Sequence, residues 1–132
     1  SMLVEFETLK LSWKPNQYLM APANVCRNAK PHAESPVFDV PVQTLHDAFL
    51  AMVRRQPRTE LVEEGPDGER FVQRSRVFRF PDIVDVKFLA IGDNQSTMGI
   101  YSRAKYGVRD FGVNEARVRI WMHELESELK NA

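Results

Sequence analysis

The sequence predicts an α+β domain in which an antiparallel β-sheet of four to five strands is covered on one face by two α-helices. Three observations predict it. Two segments, 41–55 and 114–129, space their apolar residues three and four apart, so that each helix buries one side. Segments 3–13, 69–80, 83–91 and 96–103 carry the apolar–polar alternation of strands, with 59–64 as a fifth. The later strands are joined by turn signals too short for anything but antiparallel neighbours.

The chain has 132 residues, enough to bury a core without disulfide or metal staples, and reads as one domain. Its 43% hydrophobic and 27% charged residues are ordinary globular composition. Eighteen basic residues balance eighteen acidic ones, so no overall field attracts nucleic acid or anionic lipid, and no nucleic-acid partner is expected. The single cysteine, Cys26, has no partner for an intrachain disulfide. No stretch reaches the roughly 18 apolar residues of a membrane-spanning helix. The Ser1-Met2 start reads as an expression scar, which leaves open a membrane anchor trimmed from the native N-terminus.

The elements follow in order. Residues 3–13 alternate, with a slip near Thr8: Val4 and Phe6 fall on one face, Leu9, Leu11 and Trp13 on the other. Residues 14–37 hold Pro15, Pro22, Pro31 and Pro36 and read as an irregular segment wrapping over the surface. In 41–55, Leu45, Ala48, Phe49, Met52 and Val53 form one buried helical face, with Pro41 in the first turn and Pro57 beyond the end. Gly65-Pro66-Asp67-Gly68 turns the chain from strand 59–64 into strand 69–80, and Pro81-Asp82 ends the latter. Gly92-Asp93-Asn94 turns 83–91 into 96–103. Asn114 is placed as the N-cap of the last helix, with Val113 and Val118 as a hydrophobic staple. Val118, Trp121, Met122, Leu125 and Leu129 form its apolar stripe.

Recognisable catalytic machinery is missing from the sequence. His32, His46, His123 and Cys26 have no metal-ligand spacing, so no metal is expected, and each histidine reads as structural. There is no nucleophile elbow, phosphate loop or dinucleotide fingerprint, and no cofactor is expected. Arginines are the more informative feature. Arg74, Arg76, Phe78 and Phe80 share one face of strand 69–80, so burying that face would carry guanidinium groups toward the core, with Asp82, Asp85 and Asp110 as candidate partners. Arg76 and Arg103 are expected on neighbouring strand ends near Asp82 or Asp110. The alternatives are an anion-binding site and a structural ion-pair network. Segment 102–117 offers the same pair of readings: backbone N–H groups at a helix start that could hold an anion, or Asp110 and Asn114 bracing the connection.

The run from Phe71 to Phe88, FVQRSRVFRFPDIVDVKF, followed by IYSRAKYGVRDFGVNEARV to Val118, resembles the C-terminal half of the domain of unknown function 1499 family. Pro15-Asn16-Gln17-Tyr18-Leu19 is similar to the opening of its bacterial members, and Phe38-Asp39-Val40-Pro41 and Pro57-Arg58-Thr59-Glu60 also match their style. The most specific part runs from Ser102 to Arg117, and the whole resemblance covers residues 15 to 126. It implies a bacterial or plastid protein, in some cases with an N-terminal membrane segment, and carries no activity or catalytic residue. Many relatives have a cysteine soon after the Pro-Asn pair; Gln17-Tyr18 stands here, so no cysteine chemistry transfers. The resemblance places Arg76, Asp82, Ser102, Arg103, Asp110, Asn114 and Arg117 in the family pattern, and these are the candidate ligand-binding residues.

The expectation is a non-enzymatic binding module for a small or anionic ligand. One alternative is an enzyme of unrecognised type using Asp82 or Asp110 beside the arginines. Another is a membrane-tethered protein-interaction domain using segment 14–37. The compartment follows the N-terminus: bacterial cytoplasm, or periplasm if an anchor was removed. Oligomeric state is left open.

Overall fold

A computed structural model describes residues 3–131; the Ser1-Met2 reading lies outside them. The elements are β1 (Gln17–Ala21), β2 (Ala33–Glu34), α1 (Val42–Arg54), β3 (Thr59–Glu64), β4 (Gly68–Arg74), β5 (Pro81–Gly92), β6 (Gln95–Ala104) and α2 (Val113–Lys130). The six strands lie in the order β2-β1-β6-β5-β4-β3, and all pairs are antiparallel except β1 with β2. The α+β class and the two helices on one face match the sequence expectation, while the strand count is higher.

Two corrections produce the difference. Residues 3–13 form no strand. They lie across the sheet face opposite the helices, and a turn closed by the Thr8 N–H to the Glu5 carbonyl (3.2 Å) sits where the alternation slips. Segment 14–37, expected to be irregular, contains β1 and β2. β1 pairs with β6 from Gln17↔Arg103 to Met20↔Ile100. It is packed on both faces, so its residues are nearly all buried and give no alternation.

Side-chain parity divides the sheet. On the helix side, Met98 and Ile100 of β6, Val84, Val86 and Phe88 of β5, Phe71 of β4, and Tyr18 and Met20 of β1 form one core with Leu45, Phe49 and Met52 of α1 and Val118, Trp121, Met122 and Leu125 of α2. Phe71 and Phe49 both pack edge-on or tilted against Trp121. On the opposite side, Phe6 is 1% exposed and joins Leu19, Ala21 and Tyr101, with Val4, Leu9 and Leu11 packed against them. Gly99 makes room for it: a Cβ there would stand 2.8 Å from the Phe6 ring.

β4 ends at Arg74, six residues short of the expected strand. Residues 75–80 form a wide turn closed by the Ser75 N–H to the Phe80 carbonyl (2.9 Å) and by the Phe80 N–H to Ser75 Oγ (2.9 Å). Phe71, not Phe78 or Phe80, faces the core; those two rings are 74% and 61% exposed. β5 starts at Pro81, a position where the missing N–H costs no ladder bond.

Candidate functional site

The start of α2 organises a polar cluster under the sheet end. Gly112 takes φ 83°, a left-handed conformation that favours glycine, and turns the chain into the helix. Asp110 caps the turn: its carboxylate accepts from the N–H groups of Gly112 (2.9 Å) and Asn114 (3.2 Å). Asn114 is therefore not the N-cap. It is the second helical residue, completely buried, and the staple drawn around an Asn114 cap does not apply, since Val113 is itself helical and half exposed.

Asn114 uses all of its side-chain amide. Nδ2 donates to Asp110 Oδ2 (2.7 Å) and to the Asn16 carbonyl (3.1 Å). Oδ1 accepts from Ser102 Oγ (2.6 Å) and from Arg117 Nη1 (2.7 Å). Arg117 lies one turn later on the same helix face, a three-residue spacing. Its Nη1 also reaches Ser102 Oγ (3.1 Å), its Nη2 pairs with Asp82 Oδ2 (2.8 Å), and its Nε donates to Gln73 Oε1. Asn16 closes the far side by donating Nδ2 to the Gly107 carbonyl (2.7 Å). Burial pushes the Asp82 carboxyl above the usual aspartate range, although Arg117 pulls it the other way.

Five of the seven sequence candidates, Asp82, Ser102, Asp110, Asn114 and Arg117, thus meet in one network. Arg76 and Arg103 do not join it. Arg76 lies in the exposed 75–80 turn and has no ion pair or side-chain hydrogen bond among the described residues. Arg103 sits one residue past Ser102, so strand parity sends it to the opposite face. There Nη2 pairs with Asp85 Oδ2 at 3.2 Å, and the guanidinium stacks on Tyr101, 4.6 Å from its ring centroid. Asp85 also takes a two-point contact from Arg70, at 2.7 and 2.9 Å, and the N–H of Val4 at 3.2 Å. This second cluster tethers the N-terminal segment to the sheet. The expected Arg76–Arg103 pairing near Asp82 or Asp110 is overturned because the β4 strand stops early and Arg103 faces away.

A groove of about 450 Å³ opens beside the first network, between α2, the start of β3 and the end of β4. Asp82, Gln73 and Arg117 form its inner wall, Ile120 and Val113 contribute exposed apolar surface beside the buried Trp121, and Arg58 and Arg74 line it as well. Arg58 Nε donates to the Arg74 carbonyl (2.9 Å), and Arg74 Nη1 to the Arg79 carbonyl (3.1 Å). Neither guanidinium has a carboxylate partner among the described residues. With the Asp82–Arg117 pair neutral overall, the groove carries an excess of two positive charges.

A family model described as a protein of unknown function, DUF1499, matches residues 11–125. The chain belongs to the DUF1499 family. No curated protein matches it. In this DUF1499 domain the most specific run of the resemblance, Ser102 to Arg117, supplies four members of the buried network, and the Pro-Asn pair near the start supplies Asn16. Gln73 and Arg58 were not singled out as site residues. Gln73 sits on the same strand face as Phe71, a position legible only once that face is known to be the inner one.

Two of the three histidines, His46 and His32, are hydrogen-bonded within the fold. His46 Nε2 lies 3.0 Å from both oxygens of Glu69, and its ring meets Phe88 edge-on. His32 Nδ1 accepts the Leu19 N–H at 3.0 Å and its ring stacks on Tyr18.

Proposed function

We propose that this DUF1499 domain is a non-enzymatic binding module for a small amphipathic anion, held in the groove between α2, the start of β3 and the end of β4. The carrying observation is that two arginines without a carboxylate partner among the described residues, Arg58 and Arg74, line the groove together with the exposed apolar side chains of Val113 and Ile120. Arginine keeps its charge at any working pH and matches carboxylate and phosphate geometry. An anionic head would bind the two guanidiniums while its apolar portion lies along Ile120, the usual division of labour in a small-ligand site. The Asn114–Arg117 network is the floor that fixes the groove. Its donors and acceptors satisfy one another, so it holds the shape of the groove and leaves the anion to the two arginines.

The second reading is an acid–base enzyme centred on Asp82, and it draws on the burial that raises that carboxyl. Against it stands the ion pair with Arg117, which holds the carboxylate in the wall.

Calorimetric titration with decyl phosphate, below its micelle concentration, tests the proposal. Saturable one-site binding is expected, weakened at least about tenfold in Arg58→Ala/Arg74→Ala. Equal binding by that variant would refute the assignment, and so would equal binding of a decyl cation.

A further inference from the structure

The same end of the sheet carries a surface that the groove does not explain. The register brings the starts of β1, β3 and β5 and the ends of β4 and β6 together: Thr59↔Gln73, Gln73↔Asp82, Asp82↔Ala104 and Gln17↔Arg103. The connections 12–16, 55–58, 75–80 and 105–112 therefore project from one end. They are tied to one another, with the Lys105 N–H on the Pro81 carbonyl (3.2 Å) and Asn16 on the Gly107 carbonyl (2.7 Å).

These loops collect the exposed aromatics. Trp13, Phe78, Tyr106 and Phe111 are 79%, 74%, 64% and 92% exposed, and with Phe80 they are all of the largely exposed aromatic side chains among the described residues. Phe111 has φ 54°, a costly backbone for an aromatic residue, and its ring finds no compensating burial within the protein. The same four loops hold seven cations, Lys14, Arg55, Arg58, Arg76, Arg79, Lys105 and Arg109, and a single carboxylate, Asp110; Arg55 is paired with Glu128 of α2 (2.6 Å) and Arg58 belongs to the groove, so five cations stand clear of both. Asp110 is already spent on the helix start. In a chain of zero net charge, this is a marked segregation of positive charge.

We infer that this end of the molecule docks on an anionic lipid bilayer, inserting the aromatic loop tips into the headgroup boundary while the cations meet lipid phosphates. The composition is that of an interface anchor: aromatic rings with a polar or cationic rim. Geometry favours lipid over a folded partner or nucleic acid. The tips stand on separate projecting loops, not around a groove. Phe78 and Phe80 stack on each other at 5.6 Å and 21°, so each ring already has one face occupied, whereas single-stranded nucleic acid uses open ring faces. The 75–80 turn satisfies its closing N–H groups internally, through Ser75 and Phe80, which lowers the cost of leaving water. No helix among the described residues is long and apolar enough to cross a membrane.

Vesicle flotation tests the inference, using phosphatidylcholine alone or with phosphatidylglycerol. Wild type should float with the phosphatidylglycerol vesicles, be released by salt, and stay behind with phosphatidylcholine alone. Phe78→Ser/Phe111→Ser and, separately, Arg76→Glu/Arg109→Glu should each lower partitioning at least about tenfold. All four side chains are exposed and none lines the ligand groove, so both variants should keep the wild-type melting temperature and bind decyl phosphate as before. Failure of decyl phosphate binding alone would leave the membrane surface standing. Wild type that ignores phosphatidylglycerol vesicles would overturn the inference, as would variants that float like wild type. So would a surface that captures oligonucleotide or a second copy of the chain instead of vesicles.

Discussion

Ser102 and Arg103 are consecutive in β6 and are bonded on opposite sides of the sheet. Ser102 Oγ donates to Asn114 Oδ1 at 2.6 Å beneath α2, while Arg103 Nη2 pairs with Asp85 at 3.2 Å on the far face. One dipeptide thus couples two buried polar clusters. The helix-side cluster fixes the start of α2, and the other fixes the N-terminal segment.

Asn114→Ala should cost about 3 kcal/mol or more. A plain capping residue is worth about 1 kcal/mol. Asn114 is fully buried, and its removal would strip hydrogen bonds from Asp110, Ser102 and Arg117 together and leave buried polar groups unpaired. Urea unfolding of the variant checks this, and a loss near 1 kcal/mol would show that the network is loosely coupled.

Asp85→Ala should lower stability by about 3–5 kcal/mol, because it removes the carboxylate that Arg103 and Arg70 both contact, at sites only 17% and 14% exposed. The control is Glu115→Ala, which breaks an exposed pair with Arg119 and should leave the unfolding midpoint in place. Equal effects of the two substitutions would contradict the buried role of Asp85.

The Glu7–Lys87 pair gives the pH dependence. A 2.6 Å hydrogen bond from Lys87 Nζ holds the Glu7 carboxyl below the usual glutamate range, against the smaller opposite effect of burial. As pH falls, the unfolded chain takes up the proton first. The stabilisation is therefore complete above the ordinary glutamate pKa and is lost as pH falls through the depressed folded value. Glu7 is about a third exposed, so the contribution at neutral pH is under about 1 kcal/mol. Lys87→Met should remove that contribution and move the Glu7 titration upward, as followed by carboxyl NMR; an unmoved titration would rule out the bond as its cause.

Much of this was legible in the residues. The α1 face from Leu45 to Val53 and the Trp121 stripe of α2 are set by helical spacing alone, and the Gly65–Gly68 turn by its composition. β1 was hidden because Leu19 and Met20 face different cores, which erases alternation. Residues 3–13 misled for the opposite reason: an extended chain laid on a sheet face can alternate without joining a ladder. Residues 75–80 continue the alternation of β4, but Val77 and Phe78 point into solvent, a placement that local pattern does not reveal. For the site, the sequence identified five members of the network. It mispaired Arg76 and Arg103 because the end of β4 and the parity of β6 depend on tertiary packing. It passed over Arg58 because its importance lies in what its position leaves unpaired.

The most direct test of the binding account is the indole N–H resonance of Trp121 during titration with decyl phosphate. Trp121 lines the groove and is otherwise buried in the core, whereas Trp13 lies on the exposed loops. The account predicts a saturable shift of the Trp121 signal, together with the backbone signals of Arg74 and Ile120, with Trp13 unmoved, and loss of these shifts in Arg58→Ala/Arg74→Ala. A stationary Trp121 signal, or the same shift in the arginine variant, would contradict it.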